Sequence, residues 1–196
     1  MNQVGRARAL SRRVFCVTAA SAAVGLALGC VRGARASAIS APDPDGNVTI
    51  EDFVADGTST GLVKVPKVVK SNAEWKAQLS EDAFDITRNA GTEAPFTGAY
   101  WDLHDHGLYR CICCDTAVFH SDTKFNSGTG WPSFWAPLSK TNINEVEDST
   151  LGMIRTAVSC RRCDGHLGHV FDDGPQPTGL RYCINSVSLK FVKFAV

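Results

Sequence analysis

The sequence predicts a mainly β domain of antiparallel sheets, preceded by a small N-terminal helical piece, and three observations carry that expectation. Short aromatic and β-branched runs ("YRCICC", "AVFH", "MIRTAVSC", "HVF", "RYCINSVSLKFVKF") are separated by Gly, Pro, Asp and Asn. Two segments with helix-start signals, at Ser71 and Ser80, stand just ahead of them. Two C-x-x-C pairs, far apart in the chain, could clip a loop-rich domain together. At 196 residues, 44% hydrophobic and 20% charged, the chain fits one soluble domain plus appendages, with enough length to bury a core. The 20 basic and 20 acidic residues cancel, which removes any global electrostatic case for nucleic acid or an anionic membrane as partner.

Residues 1–36 read as a Tat-like targeting segment. Arg12 and Arg13 precede an apolar run from Val14 to Gly29, and "ARASA" offers small-residue cleavage positions after Ala36 or Ala38. The run is short and alanine-rich, so no stable membrane insertion is expected after cleavage. Export, to a periplasm for instance, is the first expectation; an Arg-rich transit peptide to a plastid is the alternative. Cys16 and Cys30 would leave with this segment.

Residues 37–70 read as a linker contributing at most one edge strand, because "SAPDPDGN" is turn-rich and Pro66 interrupts "GLVKVPKVVK". The domain proper spans 71–196. In "SNAEW", Ser71 and Glu74 match a capping box, which predicts a short helix to Leu79. Ser80 caps a second helix, which Asn89 to Gly91 stop. In "INSVSLKFVKF", broken alternation of Ile184, Val187, Leu189, Phe191 and Phe194 predicts a half-buried strand.

Cys111 with Cys114 and Cys160 with Cys163 have the spacing of a four-thiolate zinc site. Each knuckle can aim two thiolates at one ion, and four thiolates close the coordination sphere, so this zinc would be structural. Two disulfides, or one redox-active pair, are the competing readings. Export would favour disulfides, but Tat substrates cross folded, so zinc could be loaded first. Cys113, inside the first knuckle, reads as a bystander thiol beside the metal.

A second constellation lies in the C-terminal half. His166 and His169 sit in the glycine-rich "DGHLGHVFDDGP", Trp131 sits between Gly130 and Pro132, and "LRYCIN" supplies Arg181, Cys183 and Asn185. On a strand, Arg181, Cys183 and Asn185 would share one face. A cation beside a thiol lowers its pKa, which a reactive cysteine needs. A buried, inert Cys183, a core Trp131 and histidines serving as further metal ligands are the plainer readings. His104, His106 and His120 read as structural or exposed.

"GTEAPFTGAY", "SDTKFNSGTGWPSF", "CDGHLGHVFDDGPQPTGLRYCINSVSLKF" and the two C-x-x-C pairs resemble the methionine-R-sulfoxide reductase (MsrB) family over Ser71 to Phe194. The resemblance implies the MsrB β-fold of two antiparallel sheets with short N-terminal helices, and zinc on Cys111, Cys114, Cys160 and Cys163. It also implies a catalytic Cys183, with His166, His169, Arg181, Asn185 and Trp131 at active-site positions. The implied reaction is thiolate attack on the R sulfoxide of oxidised methionine in proteins or peptides, leaving a Cys183 sulfenic acid. His169 would be the acid, organised by His166 and Asn185. Arg181 would favour the thiolate, and Trp131 would form an apolar wall for the substrate methyl group.

Many family members carry a resolving cysteine where this chain has Thr129. The expectation is therefore a one-cysteine reductase, monomeric, whose sulfenic acid is reduced by thioredoxin, glutaredoxin or a small thiol; Cys113 is the only other formal resolver. Two alternatives compete: a zinc-ribbon-type binding module without catalysis, and a C-x-x-C disulfide oxidoreductase without zinc.

Overall fold

The structure is a computed structural model that describes residues 42–149 and 154–195. The targeting segment, with Cys16 and Cys30, lies outside the described residues. Among the described residues no helix is long and apolar enough to cross a membrane.

The expected linker holds a hairpin, β1 (Asn47–Phe53) against β2 (Ser59–Pro66), antiparallel and in register from Asn47↔Pro66 to Asp52↔Gly61. Val48, Ile50 and Phe53 of β1 are buried, whereas β2 alternates only between exposed and half-buried positions. Leu62 lies on the exposed side of β2 while Val63 and Val65 lie on the half-buried side, so apolar and polar residues do not alternate cleanly and the sequence reads as linker. Asn142 fastens β1 to the domain, accepting from Glu51 N at 2.8 Å and donating to Glu51 O at 2.8 Å.

Both helices form where their caps predict. Helix α1 (Asn72–Gln78) carries the full Ser71–Glu74 capping box, and α2 (Glu81–Asn89) starts at Ser80 and ends on Ala90 in the left-handed region. Buried Trp75 of α1 lies between two cations, Lys70 and Arg88, at 5.0 and 4.8 Å from its ring. The helices also reach the paired cysteines: Gln78 Nε2 donates to Cys113 O at 2.7 Å and Arg88 Nη1 to Cys163 O at 3.0 Å.

The rest is antiparallel β, as expected. A three-stranded sheet has the order β11 (Leu189–Lys193), β3 (Gly107–Cys111), β4 (Ala117–His120). A six-stranded sheet has the order β5 (Lys124–Phe125), β6 (Ser133–Phe134), β10 (Arg181–Ile184), β9 (His166–Phe171), β8 (Arg155–Cys160), β7 (Ile143–Asp148). The core lies between them: Tyr109, Phe119 and Leu189 from one sheet meet Phe134, Val158, Leu167, Tyr182 and Ile184 from the other. Phe119 stacks on Phe134 with centroids 4.5 Å apart, and Tyr109 meets the same ring edge-on at 5.0 Å.

The single strand expected over "INSVSLKFVKF" is two. β10 ends at Ile184, a 3-10 turn over Ser186–Ser188 follows, and β11 runs in the other sheet. That turn carries the chain from one sheet to the other, which explains the broken alternation.

Candidate active site

Period two along β10 buries Tyr182 and Ile184 in the core and turns Arg181 and Cys183 to the opposite face. Cys183 pairs in register with His169 on β9 and Ser133 on β6. Gly168 makes this packing possible, since a Cβ there would come within 2.1 Å of Cys183 O.

On an unbroken strand, His166 and His169 would face opposite ways. The β8–β9 pairing slips between Val158↔Gly168 and Ser159↔His166, leaving Leu167 as an extra residue on β9. This bulge resets the alternation. Leu167 turns into the core, and the two imidazoles come together with ring centroids 5.2 Å apart.

A cavity of about 150 Å³ opens over these strands, lined by Trp131, His169, Cys183, Asn185, Arg155 and Phe171, with Thr92 and Gly168 at its edges. Trp131 Nε1 donates to Glu93 O at 3.1 Å, so the indole face is left to the cavity. Asn185 lies beyond the end of β10, at the start of the 3-10 turn, and reaches the site from there rather than by strand alternation. Both ends of its amide are engaged: Oδ1 accepts from Glu93 N and Nδ2 donates to Leu167 O, both at 3.1 Å. His166 is buried, and its Nε2 has no protein partner. Burial and then neighbouring His169 hold its imidazole down to about 4. Burial also lowers His169, against the pull of Asp148, whose Oδ2 accepts from His169 Nε2 at 2.9 Å. Arg155 Nη2 donates to the same oxygen at 2.8 Å.

Arg181 draws the Cys183 thiol down by its charge and a hydrogen bond, the direction the sequence suggests, but it is shared with an acid. It forms a two-pronged pair with Asp173, both contacts at 2.8 Å, and stacks on Phe171 at 4.5 Å. Burial pushes the Cys183 thiol up; Arg181 and Thr129 pull it back only in part. Sequence reasoning missed Glu93, Asp148 and Arg155 as members of the site. Glu93 sits in the quoted "GTEAPFTGAY", but all four of its contacts here, two through its backbone and two through its carboxylate, reach residues far along the chain, which local spacing does not reveal.

The four paired cysteines converge. Their sulfurs all lie within 4.8 Å of one another, with Cys111–Cys163 at 3.6 Å and Cys114–Cys160 at 3.5 Å. These separations exceed a disulfide bond of about 2.05 Å and approach the ~3.8 Å that four Zn–S bonds of about 2.3 Å impose in a tetrahedron. The knuckles are built alike. Cys111 O accepts from Asp115 N and Cys160 O from Asp164 N, both at 2.9 Å, and both aspartates adopt positive φ. The donor set fits a soft, tetrahedral ion. Cys113 is buried beside it: a Cβ on Gly165 would sit 3.3 Å from both Cys113 Sγ and Cys163 Sγ. None of the six described cysteines is in a disulfide.

A family model described as the SelR domain matches residues 79–193, more than half of the chain. The chain belongs to the SelR, or MsrB, family. A peptide methionine sulfoxide reductase MsrB of Herminiimonas arsenicoxydans is 60% identical over 125 residues, covering 64% of this chain and 91% of that protein. Proteins of the same name from Hahella chejuensis and Agrobacterium fabrum are 55% and 56% identical, covering 64% of this chain and 90% and 93% of theirs. The part of this chain matching the SelR model holds both the cysteine cluster and every residue lining the cavity.

Proposed function

We propose that this SelR-family chain reduces the R epimer of methionine sulfoxide in oxidised proteins and peptides, with Cys183 as nucleophile. The observation that carries this reading is the convergence of a thiol, an indole face and a hydrogen-bonded imidazole on one small cavity. The methyl group of the substrate packs on Trp131, and the sulfoxide oxygen points to His169. Asp148 holds the Nε2 proton of His169, which leaves Nδ1 as the nitrogen that takes and gives a proton.

At neutral pH the raised Cys183 and lowered His169 carry one proton between them, resting as thiol and neutral imidazole. The reactive form is the same one-proton pair rearranged to thiolate and imidazolium. The thiolate attacks the sulfoxide sulfur, and the sulfoxide oxygen takes the His169 proton. Transfer of the OH to Cys183 sulfur releases methionine. Cys183 is oxidised by two electrons to sulfenic acid, and the methionine sulfur is reduced by two. With Thr129 at the resolving position, one external thiol condenses with the sulfenic acid, releasing water, and a second reduces the mixed disulfide. Thioredoxin, glutaredoxin or a small thiol supplies them.

Zinc is the ion proposed for Cys111, Cys114, Cys160 and Cys163, where it would brace the fold. Arg181 serves through its pair with Asp173 and by moderating the thiol. Residues 1–36 are proposed as a Tat-type export signal, and the mature protein as a monomer. One turnover of a methionine-R-sulfoxide peptide without reductant, followed by dimedone and mass spectrometry, tests the chemistry. Dimedone should label Cys183. A Cys183–Cys113 disulfide instead would overturn the one-cysteine cycle.

A further inference from the structure

Three hydroxyls are linked in sequence from the interior toward the Cys183 sulfur. Ser133 is fully buried on β6, with Oγ 3.2 Å from Trp131 O and 2.7 Å from Ser127 Oγ. Ser127 Oγ lies 2.8 Å from Thr129 Oγ1, which lies 4.0 Å from Cys183 Sγ. The loop is held in this shape from both sides. Gly128 and Gly130 have positive φ, and Gly130 O accepts from Phe96 N at 2.8 Å. A side chain at Gly130 would strike Phe96, with a Cβ 2.7 Å from its backbone nitrogen.

We propose that Ser133, Ser127 and Thr129 form a reversible hydrogen-bond chain in which Thr129 is a catalytic residue, donating to the Cys183 thiolate and, after turnover, to its sulfenate oxygen. This rests on the reading of Cys183 as the nucleophile. A hydroxyl has one proton and can accept as well as donate, so the chain has two settings. With the thiol present, S–H donates to Thr129, Thr129 to Ser127, Ser127 to Ser133, and Ser133 to Trp131 O. With an anion on Cys183, all three O–H groups rotate, and Thr129 donates to the sulfur or its oxygen. No proton enters or leaves the chain, and no bond beyond hydrogen bonds is made.

The other charged and titratable groups around the sulfur leave room for such a donor. Arg181 favours the anion by its charge and a hydrogen bond, but it is paired with Asp173, which itself pushes the thiol up, and burial still prevails. His169 and Arg155 both engage Asp148. Of the groups acting on Cys183, Thr129 is, after Arg181, the next that favours the anion. A hydroxyl here also suits a cycle without a resolving thiol, because it stabilises the oxidised sulfur without consuming it.

The test is the pH dependence of Cys183 alkylation by iodoacetamide, followed on the Cys183 peptide by mass spectrometry in the full, metal-loaded chain. Thr129→Val keeps the shape and removes the hydroxyl; it should lower the alkylation rate at pH 7 about tenfold by raising the thiol pKa about one unit. Thr129→Ser should restore the wild-type profile to within about twofold, and Ser133→Ala should shift it in the direction of Thr129→Val by less. Profiles for Thr129→Val and wild type that superimpose would overturn the proposal. So would equal shifts in Thr129→Val and Thr129→Ser, because the loss would then lie in packing. No sulfoxide is present, so the result stands apart from the substrate reading, which fails only if R-sulfoxide turnover is absent.

Discussion

Glu93 holds three parts of the site at once. Its carbonyl accepts from the Trp131 indole, its amide donates to Asn185, and its carboxylate accepts from Ser186 N at 2.7 Å and Val187 N at 3.0 Å. The carboxylate thus caps the turn that begins three residues after Cys183, and the backbone fixes the Trp131 wall of the cavity. Within this frame His169 is displaced down and Cys183 up, both chiefly by burial. The sign of the consequence is definite. Below the His169 pKa the pair holds two protons and lacks the thiolate; above the Cys183 pKa it holds none and lacks the acid. The kcat/KM profile for a sulfoxide peptide should therefore be a broad plateau, its acid limb below the usual imidazole value of about 6.5 and its alkaline limb above the usual thiol value of about 8.5. A narrow bell inside those limits would contradict the assignment.

At the scale of elements, β9 and β10 build the site between them, and the bulge at Leu167 is the decisive irregularity. The sequence places Arg181 and Cys183 on one face correctly because period two holds along β10. It cannot show that His166 and His169 meet, since three-residue spacing on a regular strand separates them. Nor does it show that Asn185 has already left the strand. The helices were legible to the residue at their starts, because Ser71, Glu74 and Ser80 carry local capping chemistry. The β1–β2 hairpin was not, because β2 alternates only between exposed and half-buried positions and carries the apolar Leu62 on its exposed side. Gly168 shows how tightly β9 and β10 are matched. Gly168→Ala places a methyl group against Cys183 O and Ile184 Cα, at 2.1 and 2.9 Å before relaxation. The variant should lose about 1–3 kcal/mol or more of stability, seen in urea unfolding, together with sulfoxide reductase activity. An unchanged unfolding midpoint would mean that the strands part easily.

For the whole molecule, the cysteine cluster joins the ends of β3 and β8, which lie in different sheets, and the helices lean on the same knuckles through Gln78 and Arg88. The spacing of the four cysteines announced this cluster, and their sulfurs lie close enough together to hold one metal ion. With zinc as the ion, prolonged chelation should lower the melting temperature by more than about 10 °C, since a structural site contributes several kcal/mol of folding free energy. Zinc added back should restore it, and a melting curve indifferent to chelator would point to a metal-free fold. Cys183, the proposed nucleophile, faces away from the hydrophobic core and lines the cavity of about 150 Å³. The most direct measurement of what it does is reduction of separated R and S sulfoxide peptides by the wild type and by Cys183→Ser, with dithiothreitol as donor. Wild type should consume the R epimer and leave the S epimer, and Cys183→Ser should consume neither. Equal consumption of both epimers, or activity surviving in Cys183→Ser, would contradict the account.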